Sequence, residues 1–289
     1  GSLSDEILRD FYDRLSYLRN LEDKKEEILR LIDEQENLTV EIAKSIENAV
    51  TLSELEDIYR PFRPKRRTRA TIAKEKGLAP LAEIILAQNP NDNIESISLD
   101  FIDTEKDVES SEDAMAGAMD IIAEEISDNP EYRKDIRQKT IDFGLLVSKA
   151  STEDDSVYRL YYDFAEPIKK LANHRLLAIN RGEKEGLSVK IDIDEEKITN
   201  YLFRRLTPKH ESPSTKYVKL AAEDSYKRLI APSISTEIRN MLTENAEEAS
   251  IKVFNQNLSG LLLQPPIKDK IVMGFDPGYR TGCKVAVVD

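Results

Sequence analysis

The carboxylate best placed to do chemistry is Asp276, in the stretch GFDPGYRTGCKVAVVD that begins at Gly274. It closes an apolar run from Ile271 to Phe275 and precedes Pro277 and Gly278, so it stands at a strand end beside a tight turn. A carboxylate in that position can help hold a divalent ion that activates water. Two-metal displacement, however, needs several carboxylates gathered from separate strands to clamp both oxygens. The sequence stops after a second apolar run, Lys284 to Val288, and no later strand supplies them. A turn residue that merely caps a strand is the alternative of equal standing, and no catalytic residue is assigned.

The other reactive groups are sparse. Cys283 is the single cysteine, with no histidine beside it to activate the thiol, so a buried or strand-end thiol is expected and no intramolecular disulfide can form. His174 and His210 lack ligand spacing, so no metal site and no cofactor are expected. The glycines of GYRTGCK stand too close together for a phosphate loop, and neither Ser nor Thr follows the lysine. No enzymatic activity is expected.

Positive charge offers a different chemistry. The stretch RPFRPKRRTRA, residues 60 to 70, holds six cations between Arg60 and Arg69 in a chain of net charge −13. Arg63, Lys65, Arg66, Arg67 and Arg69 are the candidate nucleic-acid-binding residues, each able to neutralise a phosphate and release a counterion. Tyr59 and Phe62 could add stacking on an unpaired base. The competing reading is that these arginines dock on the protein's own acids, since guanidinium forks bind carboxylates bidentately. A smaller basic group, Arg204, Arg205, Lys209 and His210, follows an apolar helix pattern, where it can simply complement the helix dipole.

The acids are concentrated too. Residues 89 to 131 contain 14 acids and one base, so this segment alone carries −13 and the other residues balance. The pI therefore says little about partners, because a local field steers a polyanion. A solvated helix face is the common meaning of such an acidic run, and a basic protein partner is the alternative. No apolar run approaches the roughly 20 residues that span a bilayer, and no signal peptide is read at the start, so a cytoplasmic location is expected.

The elements that must position these groups read as mainly α. Charged residues make up 34% of the chain, Trp is absent and glycines number 10, a mixture that favours surface-charged helices. Leu3, Ile7, Leu8, Phe11, Leu15 and Leu18 fall at the spacing of one inward helix face. Ile28, Leu31 and Ile32 suggest a second helix, and Val40, Ile42, Ala43 and Ile46 a third. Ser53 with Glu56 reads as a capping box ahead of Leu55, Ile58 and Tyr59. Pro61 and Pro64 then stop helical growth, leaving the basic segment an irregular, largely extended loop until a helix resumes near Thr71. Residues 111 to 127 predict a helix with Ala114, Met115, Ala118, Ile121, Ile122 and Ile126 inward. Asn129 and Pro130 open the next, which reads on to about Lys149. A helix from Asn173, an extended piece over 187–193, and helices over 194–206, 214–229 and 235–263 follow, with a truncated hairpin from Ile271. Two strands alone are marginal in water, so the hairpin is expected to belong to a larger sheet.

Four stretches, in this order, resemble the bacterial Tex family of transcription accessory proteins. They are LSELEDIYRPFRPKRRTRATIAKEKGLAPLA from Leu52, YYDFAEPIKKLANHRLLAINRGEKEG from Tyr161, EIRNMLTENAEEASIKVFNQNLSGLLLQPP from Glu237, and GFDPGYRTGCKVAVVD from Gly274; together they cover about a third of the chain. The resemblance implies that residues 3–266 are a helical N-terminal region with a helix-turn-helix-like portion. It also implies that 270–289 begin a YqgF-type, RNase H-like domain, in which Asp276 matches the first acidic position. Members of this family resemble the core of a eukaryotic elongation factor and bind nucleic acid, and their YqgF-like domain is generally regarded as non-catalytic. They go on to helix-hairpin-helix elements and a C-terminal RNA-binding OB-fold. The implied function is a helical scaffold that contacts RNA or DNA through backbone phosphates without reading sequence. The alternative is a protein-interaction module that docks on RNA polymerase or other transcription proteins, while later domains hold the nucleic acid.

Overall fold

A computed structural model of the chain describes residues 5–64, 67–150, 157–208, 212–265, 268–278 and 282–289. Mainly helical, it begins with α1 (Asp5–Asp33), α2 (Val40–Asn48) and α3 (Leu52–Tyr59). These share a small core of Leu21, Ile28, Ile32, Ile46, Leu55 and Tyr59. The first part of α1 departs from expectation: Ile7, Leu8, Phe11 and Leu18 are exposed. The reason is length. At 1.5 Å per residue α1 runs for ~44 Å, while α2 and α3 are each less than ~15 Å long and cover only its second half. The cap of α3 also lies two residues earlier than the sequence suggested. The Thr51 hydroxyl accepts from the Glu54 N–H, and Glu54 Oε2 accepts from the Val50 N–H at 3.1 Å.

The main core surrounds α7 (Ser111–Asp128), with α4 (Arg69–Glu75), α5 (Ala79–Ala87), α6 (Ile94–Leu99) and α11 (Thr215–Asp224) packed about it. Every residue read as inward on this helix is buried. Each fully buried isoleucine there contributes roughly 1.5–3 kcal/mol. Gly117 lets α7 approach α4 and α5, because a Cβ at that position would meet Leu78 Cδ1 at 2.4 Å.

The expected long helix after Asn129 is shorter. α8 (Pro130–Phe143) stops at Gly144, and Leu145–Ala150 form β1, the central strand of an antiparallel sheet. β2 (Asp163–Pro167), absent from the sequence reading, lies on one side of it, and β3 (Leu187–Asp192), where the extended piece was expected, lies on the other. A Cβ on Gly144 would sit 2.4 Å from the Thr140 carbonyl, so glycine makes the sharp exit from helix to strand possible. The period of two in β1 is disguised by Ser148. It shares the buried face with Leu146 and is tolerated because its hydroxyl donates to the Tyr161 carbonyl at 2.6 Å. α9 (Asn173–Glu183) packs this sheet against the long helix that follows.

α10 (Glu195–Leu206) leads to that helix. The two last helices expected are one continuous path: α11 passes through a π turn, Ser225–Ile230, into α12 (Ala231–Leu262). Pro232 has no N–H to offer the preceding turn, and the wider turn ahead of it accommodates the missing bond without a break. Beyond Ala246 the apolar residues Ile251, Phe254, Leu261 and Leu262 are exposed. β4 (Val272–Asp276) and β5 (Lys284–Val288) pair as the expected hairpin, with Phe275, Val285 and Val287 exposed.

Candidate nucleic-acid interface

The basic segment joins α3 to α4 and is less extended than the prolines suggested. Pro61 sits in the first turn of a 3-10 helix, Arg60–Phe62, and α4 begins at Arg69 with a capping box between Thr68 and Thr71. Its cations take different roles. Arg60 donates from Nε to Asp128 Oδ1 at 3.2 Å, so the docking reading holds for this residue, and Asp128 does belong to the acidic run. Burial, and next the charge of Arg133, hold the Arg60 guanidinium below its ordinary value.

Arg63 and Arg67 pair elsewhere. Arg63 Nη2 lies 3.7 Å from Glu56 Oε2, and Arg67 Nη2 donates to Glu75 Oε2 at 2.9 Å. Both side chains are largely open to solvent, 61% and 70% exposed, and such pairs contribute only about 0–1 kcal/mol. A phosphate can therefore displace the carboxylates at little cost. Arg69 is the first residue of α4, exposed, and its charge favours the ionised form of Asp120 on α7, whose pKa burial raises. Lys65 and Arg66 lie outside the described residues.

What fixes the base of this loop is a cluster the sequence reading missed. Asp57, on α3, is buried between Arg133 and Arg137 of α8. Arg133 Nε donates to Asp57 Oδ1 at 2.6 Å and its Nη2 to Ser233 Oγ at 3.1 Å. Arg137 reaches the second Asp57 oxygen and lies 2.6 Å from Glu237 Oε1 on α12. Burial disfavours the charge on Arg137. Hydrogen bonds to Asp57 and Glu237 outweigh it, and the guanidinium is held above its ordinary value. The available signal was an acid amid the apolar residues Leu55, Ile58 and Tyr59, with two arginines four apart on α8.

The smaller basic group divides as well. Arg205 lies 3.7 Å from Asp135, while Arg204 is exposed at the end of α10; Lys209 and His210 lie outside the described residues. Asp276 ends β4 opposite Lys284 and is exposed. Cys283 stands at a strand end, immediately before β5, and is exposed. Among the described residues no three His, Cys, Asp or Glu side chains gather as a metal site, and no helix is long and apolar enough to cross a membrane.

The fold and this surface define a mainly α body with an arginine-rich loop anchored by buried ion pairs. Residues 88–254 match the family described as Tex central region-like. Over its whole length the chain is 45% identical to the protein YdcI of Bacillus subtilis (strain 168), spanning 41% of that protein. It is 34% identical to the transcriptional accessory protein Tex of Neisseria gonorrhoeae, spanning 39% of it. Identity to the human S1 RNA-binding domain-containing protein 1 is 28%, over 30% of that protein's length. The chain belongs to the Tex family, and it spans about two fifths of the bacterial relatives named here.

Proposed function

We propose that this chain is a non-catalytic helical scaffold that positions RNA or DNA by contacting backbone phosphates through the loop between α3 and α4. The observation that carries the reading is the contrast between an exposed set of cations, Arg63, Arg67 and Arg69, and the buried Asp57 cluster beneath them. Such contacts set register and orientation without reading sequence. The relatives named for transcription and for S1 RNA binding favour a nucleic-acid role. The helix-turn-helix-like portion, the RNase H-like assignment of residues 270–289 and the cytoplasmic location belong to this same proposal.

Fluorescence anisotropy of labelled duplex DNA and single-stranded RNA across a salt series tests it, beside Arg63→Glu/Arg67→Glu. Binding should weaken steeply with salt, by about 0.9 in log slope for each phosphate neutralised on duplex. The variant should lose affinity and flatten the slope by about 2, with an unchanged circular dichroism spectrum. A variant that binds like the wild type would overturn the reading.

A second reading is favoured by the apolar faces left open on α1 and α12, among them Phe11 and Phe254, 65% and 63% exposed. Large exposed apolar surface commonly meets another protein. In this reading the chain docks on RNA polymerase or another transcription protein, and co-purification with that partner survives loss of the basic loop.

A further inference from the structure

The last turn of α8, the residues just after β3, and α10 enclose a recess of about 380 Å³, lined among others by Lys139, Phe143, Ile193, Lys197, Tyr201 and Arg204. Its volume lies within the range of small-ligand sites, about 300–1,000 Å³. Two features of the lining are only weakly used within the fold. Phe143 is 69% exposed at the end of a helix whose Ile136 and Thr140 are buried. Three cations stand around the recess with one acid, Asp194, among its lining residues. Lys139 Nζ lies 5.0 Å from the centre of the Tyr201 ring, and the 3.4 Å pair between Lys197 and Asp194 is exposed and therefore weak. Arg204 has no ion-pair partner among the described residues.

The neighbouring acids are already engaged. Asp142 accepts from Gln138 at 2.9 Å and pairs with Lys169 at 2.7 Å, and Asp135 accepts the Tyr201 hydroxyl proton. The lining itself therefore carries more positive than negative charge, three cations against one acid, in an acidic protein. Positive charge around one open aromatic ring, Phe143, suits a chain of phosphates bearing flat bases, since stacking serves any base and lysines track the backbone.

We infer that this recess receives an unpaired base of a single-stranded nucleic acid, stacked on Phe143 beside Tyr201, with flanking phosphates on Lys139, Lys197 and Arg204. The inference rests on the proposed reading only in taking nucleic acid as the ligand; it involves different residues from the loop. α8 carries both surfaces, because Pro130 lies beside Pro61 and Arg63 in a second recess, and its two ends stand ~20 Å apart. A duplex presents no unstacked base, so this site distinguishes single strands from double.

The test uses this chain with a fluorescein-labelled single-stranded RNA, the same sequence as a duplex, and a single strand carrying 2-aminopurine, whose fluorescence is quenched by stacking. Phe143→Ala removes an exposed ring and should leave the melting curve unchanged. It should weaken single-strand binding by roughly 5- to 100-fold, abolish the quenching caused by the wild type, and leave duplex affinity alone. Arg204→Glu should weaken the single strand further without touching the Asp57 cluster. Arg63→Glu/Arg67→Glu is measured in parallel. If only the loop variant loses affinity, the recess is not a binding site and the loop reading stands. If Phe143→Ala and Arg204→Glu lose it and the loop variant does not, the recess stands and the loop reading falls. Absence of single-strand binding by the wild type at low salt overturns the recess, and the loop reading falls with it only if the duplex is not bound either.

Discussion

Two tyrosines carry the clearest titration signature of single residues. Burial, and after it the charge of Glu195, push the Tyr226 phenol up to about 12. Tyr201 is also pushed up to about 12, by burial first and then by its bond to Asp135. In the unfolded chain a tyrosine ionises near 10. Between these two values the unfolded chain has released a proton that the folded one retains, so stability is complete below pH 10 and falls as pH rises toward 12. Tyr226→Phe removes one such proton. Its urea midpoint should fall less than that of the wild type between pH 9 and pH 11, by an amount equivalent to about 1 kcal/mol over that whole interval. Parallel decline of the two proteins would show that Tyr226 ionises normally in the fold.

Among elements, the decisive contact is the one that ties α3 to α8 and α12. Asp57 faces two guanidinium groups, and the side chains of Arg133 and Asp57 are 3% and 6% exposed. Removing the acid leaves two buried cations without their shared partner. Asp57→Ala should therefore cost about 3–5 kcal/mol in urea unfolding, far more than loss of an exposed pair such as Arg67 with Glu75. The same variant should weaken nucleic-acid binding although Asp57 lies beneath the loop, because the 3-10 turn that launches the loop follows α3 directly. A loss below about 1 kcal/mol would mean that the α3 to α8 contact is held by its apolar residues alone.

At the scale of the whole molecule the burial is uneven. The core around α7 is closed on all sides, while the first half of α1, the last turns of α12 and the hairpin expose apolar residues. Local opening costs least where few apolar contacts hold a segment. Amide exchange should accordingly be slow over Ala114–Ile126 and faster by orders of magnitude over residues 251–262, 272–276 and 284–288, measured by mass spectrometry on the native chain. Equal protection of α7 and the end of α12 would show that α12 is held by something other than its own packing. The sequence by itself determined much of this molecule. Periodicity placed the helix α7, because a regular apolar face against charged neighbours is a local property of the chain, and α9 and α10 were also read where they lie. It also marked the basic loop and the hairpin. What it could not determine were features that depend on distant partners. The apolar stripe on α1 reads as buried until the lengths of α2 and α3 show how little they cover. β1 reads as more helix until β2 and β3 supply its hydrogen bonds. Arg60, Arg63 and Arg67 look alike in sequence, and only the tertiary structure gives the first an acid from α7 and leaves the others exposed. The Asp57 cluster joins residues 76, 80 and 180 positions apart, a separation at which charge pairing leaves no local pattern to read.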